Sequence, residues 1–282
     1  MNAITNFTSL IDYLRSCQEK KRVAVIRPRD ESTQKAVKLA EDAGFMIPVI
    51  VDDEQPETAA ALGVQMVREG KADVLMKGLV NTDDLLRAVL NKETGLLPQG
   101  KVLTHVTCAE IEGHEKLLFC SDVAVIPHPT AEQREEQLKY MLSLMRSFGI
   151  GTPRVGLINC TEKVNPKHFP FTVEYRDLIS KAQTGAFGSC IIDGPLDLKT
   201  CFSPEALHKK GIDSPLEGNA DGVIFPDIQA GNVFYKTITC FCKSKTAAML
   251  CGPQVPVVLP SRGDSPENKF LSLAMACMSS LI

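Results

Sequence analysis

A turn near the end of the chain places a hydroxyl beside a guanidinium. It follows the apolar segment 255–259, contains Ser261 and Arg262, and leads directly into a predicted helix. An anion at such a helix start meets the helix dipole and unpaired backbone amides, and an arginine adds bidentate hydrogen bonds to phosphate oxygens. The same residues also fit a plain helix cap, in which Asp264 or Ser265 accepts from backbone amides and Arg262 is solvated. The chemistry of the turn alone leaves both interpretations open.

A second candidate anion site lies in the segment 225–236. Asp227 stands in a turn at the end of a predicted strand, Gly231 permits close backbone approach, and Asn232 offers both donors and an acceptor. Lys236 follows one helical turn later on the same face. The alternative is a capped helix whose lysine extends along the surface into solvent.

A third group of candidate residues follows the predicted strand 73–76. Lys77 and Gly78 form a turn there, and Arg87 lies in the next predicted helix, so these residues can serve an anion. The sequence has no complete P-loop, no Gly-x-Gly-x-x-Gly after an early strand and no Gly-x-Ser-x-Gly turn. Nucleotide hydrolysis and ordinary dinucleotide binding are therefore disfavoured. The five histidines are dispersed, and we expect no metal site.

The bulk composition is typical of a globular protein that does not bind nucleic acid. A length of 282 residues predicts two lobes with a cleft or one large α/β unit. A net charge of −3, no Trp and 4 Tyr provide no broad basic surface with stacking aromatic rings. No apolar run reaches the ~18 residues of a membrane span, and the N-terminus lacks a signal-peptide pattern. We therefore expect a cytoplasmic protein without membrane attachment.

Alternating strands and helices position these candidate residues. The pattern predicts an α/β fold of three-layer α/β/α lobes with largely parallel sheets, and its predicted strands include 23–26, 46–51, 123–126 and 255–259. A sharp break at Pro127-His128-Pro129 predicts a lobe boundary. Ligands of such sheets bind beyond the carboxyl ends of the strands. That rule selects the turns 77–78, 193–195, 226–227 and 260–262.

Five segments occur in the order known from one enzyme family. They are Leu75-Met76-Lys77-Gly78, Thr82 to Arg87, Asp193-Gly194-Pro195-Leu196, Phe225 to Lys236, and Leu259 to Ser265. Each segment alone is a weak signal, whereas five in register are a strong one. From its first strand to its last helix, the chain resembles the phosphate acetyltransferase and phosphate butyryltransferase family.

The resemblance implies an architecture and a reaction. The architecture is that of two α/β lobes, 1–127 with 252–282 and 128–251, with coenzyme A in the cleft between them. This layout is similar to that of isocitrate and isopropylmalate dehydrogenases, and a homodimer is the common assembly. The implied substrates are acyl-CoA and phosphate, which yield acyl phosphate and CoA, with no tightly bound cofactor and no metal. In that family the CoA thiolate attacks the acyl phosphate directly in a ternary complex.

The resemblance also implies roles for individual residues. Ser261 matches a serine that hydrogen-bonds the developing tetrahedral oxyanion. Arg262 matches an arginine that binds phosphate or the acyl phosphate, and Arg87 one that supports substrate binding. The other candidate substrate-binding residues are Lys77, Gly78, Asp227, Gly231, Asn232, Lys236 and Asp264.

One departure from the family pattern concerns the base for the CoA thiol. The acetyltransferases carry an aspartate at the position of Asn268, and an asparagine cannot take the proton. Glu267 is adjacent and Asp264 lies one turn earlier, so either is a candidate substitute. Alternatively the thiol, whose cysteine analogue titrates near ~8.5, ionises without a strong base.

A second departure favours the butyryltransferase branch. Lys77 stands where the acetyltransferases usually have a small residue, and a long upstream segment of theirs is missing. We therefore expect an acyl group longer than acetyl. The competing hypotheses are a phosphate acetyltransferase, a non-catalytic binder of CoA or acyl phosphate, and a metal- and NAD-dependent decarboxylating dehydrogenase.

Overall fold

Strands and helices alternate along most of the chain. The computed structural model describes residues 2–261 and 263–281, and no helix within these ranges has both the length and the apolar character that crossing a bilayer requires. Its elements in chain order are α1 (Phe7–Ser16), β1 (Lys21–Ile26), α2 (Glu31–Asp42), β2 (Met46–Val51), α3 (Pro56–Arg68), β3 (Val74–Lys77), α4 (Thr82–Val89), β4 (Thr104–Ile111), β5 (Leu118–Ser121), α5 (Ala131–Ser147), β6 (Arg154–Ile158), α6 (Phe171–Gln183), β7 (Ile191–Leu196), α7 (Leu198–Phe202), α8 (Pro204–Lys210), β8 (Gly222–Ile224), α9 (Ile228–Phe241), β9 (Ser244–Cys251), β10 (Val257–Val258) and α10 (Pro266–Ser279).

One compact unit, the terminal unit, comprises Ile4–Glu110 and Ser244–Ile282. Its strand order is β2-β1-β3-β10-β9-β4, in which β1 pairs in parallel with β2 and β3, and β3 with β10. β1 and β3 are internal and almost fully buried, which explains their continuous apolar sequences. Val257 pairs with Leu75 and Val258 with Met76, so the turns after β3 and β10 leave the sheet side by side.

Residues Met1–Ala3 and Ile111–Lys243 form the second compact unit, the central unit, with the parallel strand order β5-β8-β6-β7. In β8, Gly222 faces Met145 of α5, whereas the next residue, Val223, lies with Cys201 of α7 around Gly156. Because successive strand residues point to opposite faces, α5 and α7 cover opposite faces of this sheet. The predicted α/β class with largely parallel sheets is confirmed.

The segment 123–126, which the sequence predicts as a strand, forms bends instead. The Asp122 carboxylate accepts hydrogen bonds from the backbone amides of Ala124, Val125 and Ile126 at 2.7, 2.9 and 3.3 Å. These amides are then not available to a strand ladder. The prediction was wrong because an aspartate side chain competes locally with strand pairing.

The division into compact units falls between Glu110 and Ile111 and between Lys243 and Ser244. The sequence placed the boundaries at 127/128 and 251/252. Strand pairing accounts for both displacements, because β5 pairs with β8 of the central unit and β9 pairs with β10 of the terminal unit.

Candidate active site

A cavity of about 130 Å³ lies in the terminal unit where β3 and β10 end. Ser261 and Lys77, which the sequence predicts as site residues, both line it, and Arg262 lies outside the described residues. The full lining is Asp30, Lys77, Gly78, Leu79, Pro260, Ser261 and Lys269. The structure therefore brings together two turns that are almost 200 positions apart in the sequence, as the rule for parallel sheets requires.

The turn after β3 has a buried lysine followed by an obligatory glycine. Lys77 is only 4% exposed, and its Nζ donates to the carbonyl oxygens of Val80 at 3.1 Å and Gly78 at 3.4 Å. The Gly78 amide donates to the Ile26 carbonyl at 2.8 Å, so the chain runs against the end of β1. A Cβ on Gly78 would overlap the carbonyl oxygens of Ile26 and Arg27. Glycine is therefore needed here for close backbone approach.

The Ser261 turn is closed by Asp264. The Ser261 amide donates to Asp264 Oδ2 at 2.7 Å, and the Asp264 amide donates to the Ser261 carbonyl at 3.1 Å. The Asp264 carbonyl in turn accepts from Ser32 Oγ at 3.0 Å, which fixes the turn to the first turn of α2. The Ser261 residue itself is exposed, and its Oγ accepts a long hydrogen bond of 3.4 Å from the Gly263 amide. Asp264 thus shapes the turn that presents the serine hydroxyl.

Glu267 and Asn268 make contacts with β9. Glu267 Oε1 lies 2.9 Å from Lys245 Nζ, and this carboxylate raises the pKa of Lys245 through a hydrogen bond. Asn268 Oδ1 accepts from the Thr246 amide at 3.3 Å. Among the described residues, the cavity lining includes neither side chain. Of the two candidate substitutes for the thiol base, Glu267 is paired with Lys245 of β9, and the Asp264 carboxylate binds the Ser261 amide.

An ion pair between a buried lysine and a partly exposed aspartate lies in the cavity wall, and the sequence did not predict it. Lys269 of α10 is 3% exposed, and its Nζ donates to Asp30 Oδ1 and to Thr33 Oγ1, both at 3.1 Å. Burial by itself raises the pKa of Asp30, but hydrogen bonds from Thr33 and Lys269 outweigh it and hold that pKa below the ordinary aspartate value. A sequence signal existed, because Lys269 lies on the same helical face as the apolar Leu273 and Ala276.

Arg87 lies on another surface of the terminal unit. It lines a cavity of about 670 Å³ between α3 and α4, and its guanidinium is 3.4 Å from the Asp84 carboxylate. Its side chain is 74% exposed. Among the described residues, the lining of the Ser261 cavity does not include it.

The candidates of the segment 225–236 belong to the central unit and make structural contacts there. Asp227 Oδ1 caps α9 by accepting from the Ala230 amide at 2.9 Å, and Asn232 Nδ2 donates to the Val123 carbonyl at 3.0 Å. Gly231 packs directly on the Asp122 carbonyl, and the Lys236 ammonium lies 5.2 Å from the centre of the neighbouring Tyr235 ring. The α9 start is thereby fixed onto the loop after β5.

Comparison with known proteins identifies the family. A family model described as phosphate acetyl/butaryl transferase matches residues 27–277. The chain belongs to the phosphate acetyl/butaryl transferase family. The family and the acyltransferase class predicted from the sequence are thus confirmed.

Relatives within the phosphate acetyl/butaryl transferase family include both acyl specificities. The phosphate butyryltransferase of Clostridium acetobutylicum is 36% identical, with 98% of either chain covered. The phosphate acetyltransferase of Thermotoga maritima is 40% identical over 82% of this chain and 78% of its own. A solved structure, the branched-chain phosphotransacylase from Enterococcus faecalis V583, is 28% identical with a TM-score of 0.81, covering 92% of this chain and 99% of that one.

Proposed function

We propose that the protein exchanges CoA and inorganic phosphate on a short-chain acyl group, as a phosphate butyryltransferase. The observation that carries the proposal is the cavity itself, which Ser261 and the buried Lys77 both line at the carboxyl ends of β10 and β3. A hydroxyl donor and a fixed cation are what a carbonyl oxygen and a phosphate group need in acyl transfer. The nearly full-length match to a butyryltransferase supports the same reaction.

The reaction forms a C–O bond and breaks a C–S bond at the acyl carbon. An oxygen of hydrogen phosphate attacks the thioester carbonyl, the tetrahedral intermediate collapses, and the C–S bond breaks. The CoA thiolate leaves and takes up the proton that hydrogen phosphate gives up, so acyl-CoA and phosphate yield acyl phosphate and CoA. Ser261 Oγ donates a hydrogen bond to the oxygen that gains negative charge. No electron transfer occurs, and the proposed reaction needs no bound cofactor.

The preferred acyl chain is proposed to be longer than acetyl. Support comes from the coverage of the relatives, because a butyryltransferase matches 98% of the chain and an acetyltransferase 82%. The solved branched-chain phosphotransacylase points in the same direction. A homodimer in the cytoplasm, with acyl-CoA and phosphate as its small-molecule partners, completes the proposal.

An acyl-chain panel tests this proposal. Acetyl-, propionyl-, butyryl- and valeryl-CoA are incubated with the protein with and without phosphate, and released thiol is measured with a thiol reagent. We expect phosphate-dependent release, with the largest kcat/KM for butyryl-CoA. Release without phosphate indicates a hydrolase, and binding of acyl-CoA without release indicates a non-catalytic binding protein. Either of these results contradicts the proposed function.

Two substitutions of Asp264 separate a turn-forming role from that of a base. We expect Asp264→Asn to retain most of kcat with an unchanged pH profile, because an amide oxygen still accepts from the Ser261 amide. Asp264→Ala removes this acceptor and lowers kcat about tenfold, the effect of losing one hydrogen bond of about 1.5 kcal/mol. If Asp264 is instead the base for the thiol, the two variants lose activity equally.

A further inference from the structure

The Lys269 side chain is buried in the wall of the cavity at the ends of β3 and β10. The side chain is 3% exposed, yet it lines the same cavity of about 130 Å³ as Ser261 and Lys77. It lies on the face of α10 that carries the buried Leu273 and Ala276, and the partner that fixes it, Asp30, is 239 positions away in the sequence. A lysine in such a place requires an explanation, because lysines are almost never fully buried unless paired.

Pairing with Asp30 explains how Lys269 is tolerated but not why it is there. A buried ion pair is often replaceable by apolar side chains of similar volume without loss of stability. The pair also leaves part of the ammonium unused. An ammonium has three N–H donors, and within the described part of the chain Asp30 and Thr33 accept two of them. This count leaves one N–H donor, and Lys269 lines the cavity.

The charges around the cavity favour an anion. Its described lining carries the ammonium groups of Lys77 and Lys269 and the carboxylate of Asp30, a formal sum of +1. Asp30 Oδ1 also accepts from the Thr33 amide at 2.8 Å, so its negative charge is held at the start of α2. The volume suits one small anionic group, since pockets for drug-sized ligands measure about 300–1,000 Å³.

We propose that Lys269 binds the phosphoryl group of inorganic phosphate and of acyl phosphate, together with Lys77. Asp30 and Thr33 act as positioning residues that hold the Lys269 ammonium against the cavity. The proposal rests on the proposed phosphate acyltransferase function and names a second cation for its phosphate. It also explains why the pair is ionic, since an apolar pair of equal volume has no donor for an anion.

A double variant separates phosphate binding from a structural role. Lys269→Met alone leaves the Asp30 carboxylate without its cation, so the test uses Lys269→Met/Asp30→Asn, in which Asn still caps α2. We expect this variant to unfold at nearly the wild-type temperature. We also expect its KM for phosphate to rise at least about tenfold, the cost of one hydrogen bond to a charged group, while the KM for acyl-CoA changes less than about twofold.

The matched control removes an exposed pair of the same chemistry. Lys38→Met/Asp42→Asn, on α2, deletes an ion pair with an Nζ–Oδ1 distance of 2.8 Å and leaves both KM values unchanged. A wild-type KM for phosphate in the Lys269→Met/Asp30→Asn variant overturns the proposal, as does an equal rise of both KM values. If that variant does not fold, Lys269→Gln is subjected to the same two measurements.

Phosphate binding is also measured without turnover. Inorganic phosphate is titrated against thermal unfolding of the wild-type protein and of the two double variants. We expect phosphate to raise the unfolding temperature of the wild type and of the control but not of Lys269→Met/Asp30→Asn. Equal stabilisation of all three overturns the role of Lys269. If the wild type releases no CoA from any acyl-CoA, the proposed function fails, while this titration still decides whether Lys269 binds phosphate.

Discussion

Replacement of Ser261 by alanine lowers kcat about a hundredfold or more, the usual cost of one lost oxyanion donor. The KM values for phosphate and acyl-CoA change by less than about threefold, because the hydroxyl acts on charge that develops during the reaction. The turn itself survives the substitution. The hydrogen bonds that close it use the Ser261 backbone amide and carbonyl together with Asp264, and none of these atoms is removed.

Ser265 provides the matched control for this experiment. Its hydroxyl caps α10 by accepting from the Asn268 amide at 3.1 Å. Ser265→Ala therefore costs about 1 kcal/mol of stability and leaves kcat within about twofold. Steady-state kinetics in both directions and thermal unfolding of the two variants are the measurements. Nearly full turnover of Ser261→Ala, or a rate loss of similar size in Ser265→Ala, contradicts the role of the Ser261 hydroxyl.

The strands were predictable where burial on both faces left a continuous apolar run. β1 and β3 are of this kind, and their positions follow from the sequence within about two residues. α3 was not predicted, because its buried face consists of small residues, Ala59, Ala60, Gly63, Val64 and Val67, which give a weak periodic signal. The false strand at 123–126 has the opposite cause. Its residues are apolar enough, but the Asp122 carboxylate takes their amides, and side-chain hydrogen bonds of this kind are invisible in hydrophobic patterns.

Some residues of the candidate site were predictable from the sequence, and others were not. Ser261 and Lys77 were predictable together because parallel strands end at one edge of a sheet, and the structure places both in one cavity. Lys269 was missed because a single lysine in a helix is normally solvated, and its partner Asp30 is remote in sequence. The roles of Arg262, Arg87, Asp227, Asn232 and Lys236 in substrate binding remain predictions from the family resemblance.

Replacement of Gly231 by alanine destabilises the protein by about 2–3 kcal/mol or more, although the same change inside a helix normally stabilises by about 1 kcal/mol. Gly231 is the fourth residue of α9 and is buried. A Cβ at this position would overlap the Asp122 carbonyl oxygen and lie 3.0 Å from the Phe225 ring. Because the overlapping atom is backbone, no rotation of a side chain relieves the clash.

The surrounding contacts prevent α9 from moving away. Asp122 is held by the three amides that its carboxylate binds, and the adjacent Asn232 binds the Val123 carbonyl from the helix side. A shift that accommodates the Cβ must break hydrogen bonds on one side or the other, each worth about 1 kcal/mol. The overlap therefore lowers the free energy of unfolding. We expect the unfolding temperature to fall by about 5 °C or more.

Gly151→Ala calibrates this measurement. Gly151 has open space around its Cβ position, so alanine there leaves stability unchanged or raises it by about 0.4–1 kcal/mol through the unfolded state. Denaturant and thermal unfolding of both variants give the comparison. Equal stability of the two variants would mean that the backbone of the loop after β5 can shift to accept the Cβ. The start of α9, with Asp227 and Asn232, would then not be fixed by this loop. A large loss confined to Gly231→Ala shows that the backbone of this loop fixes the position of the helix.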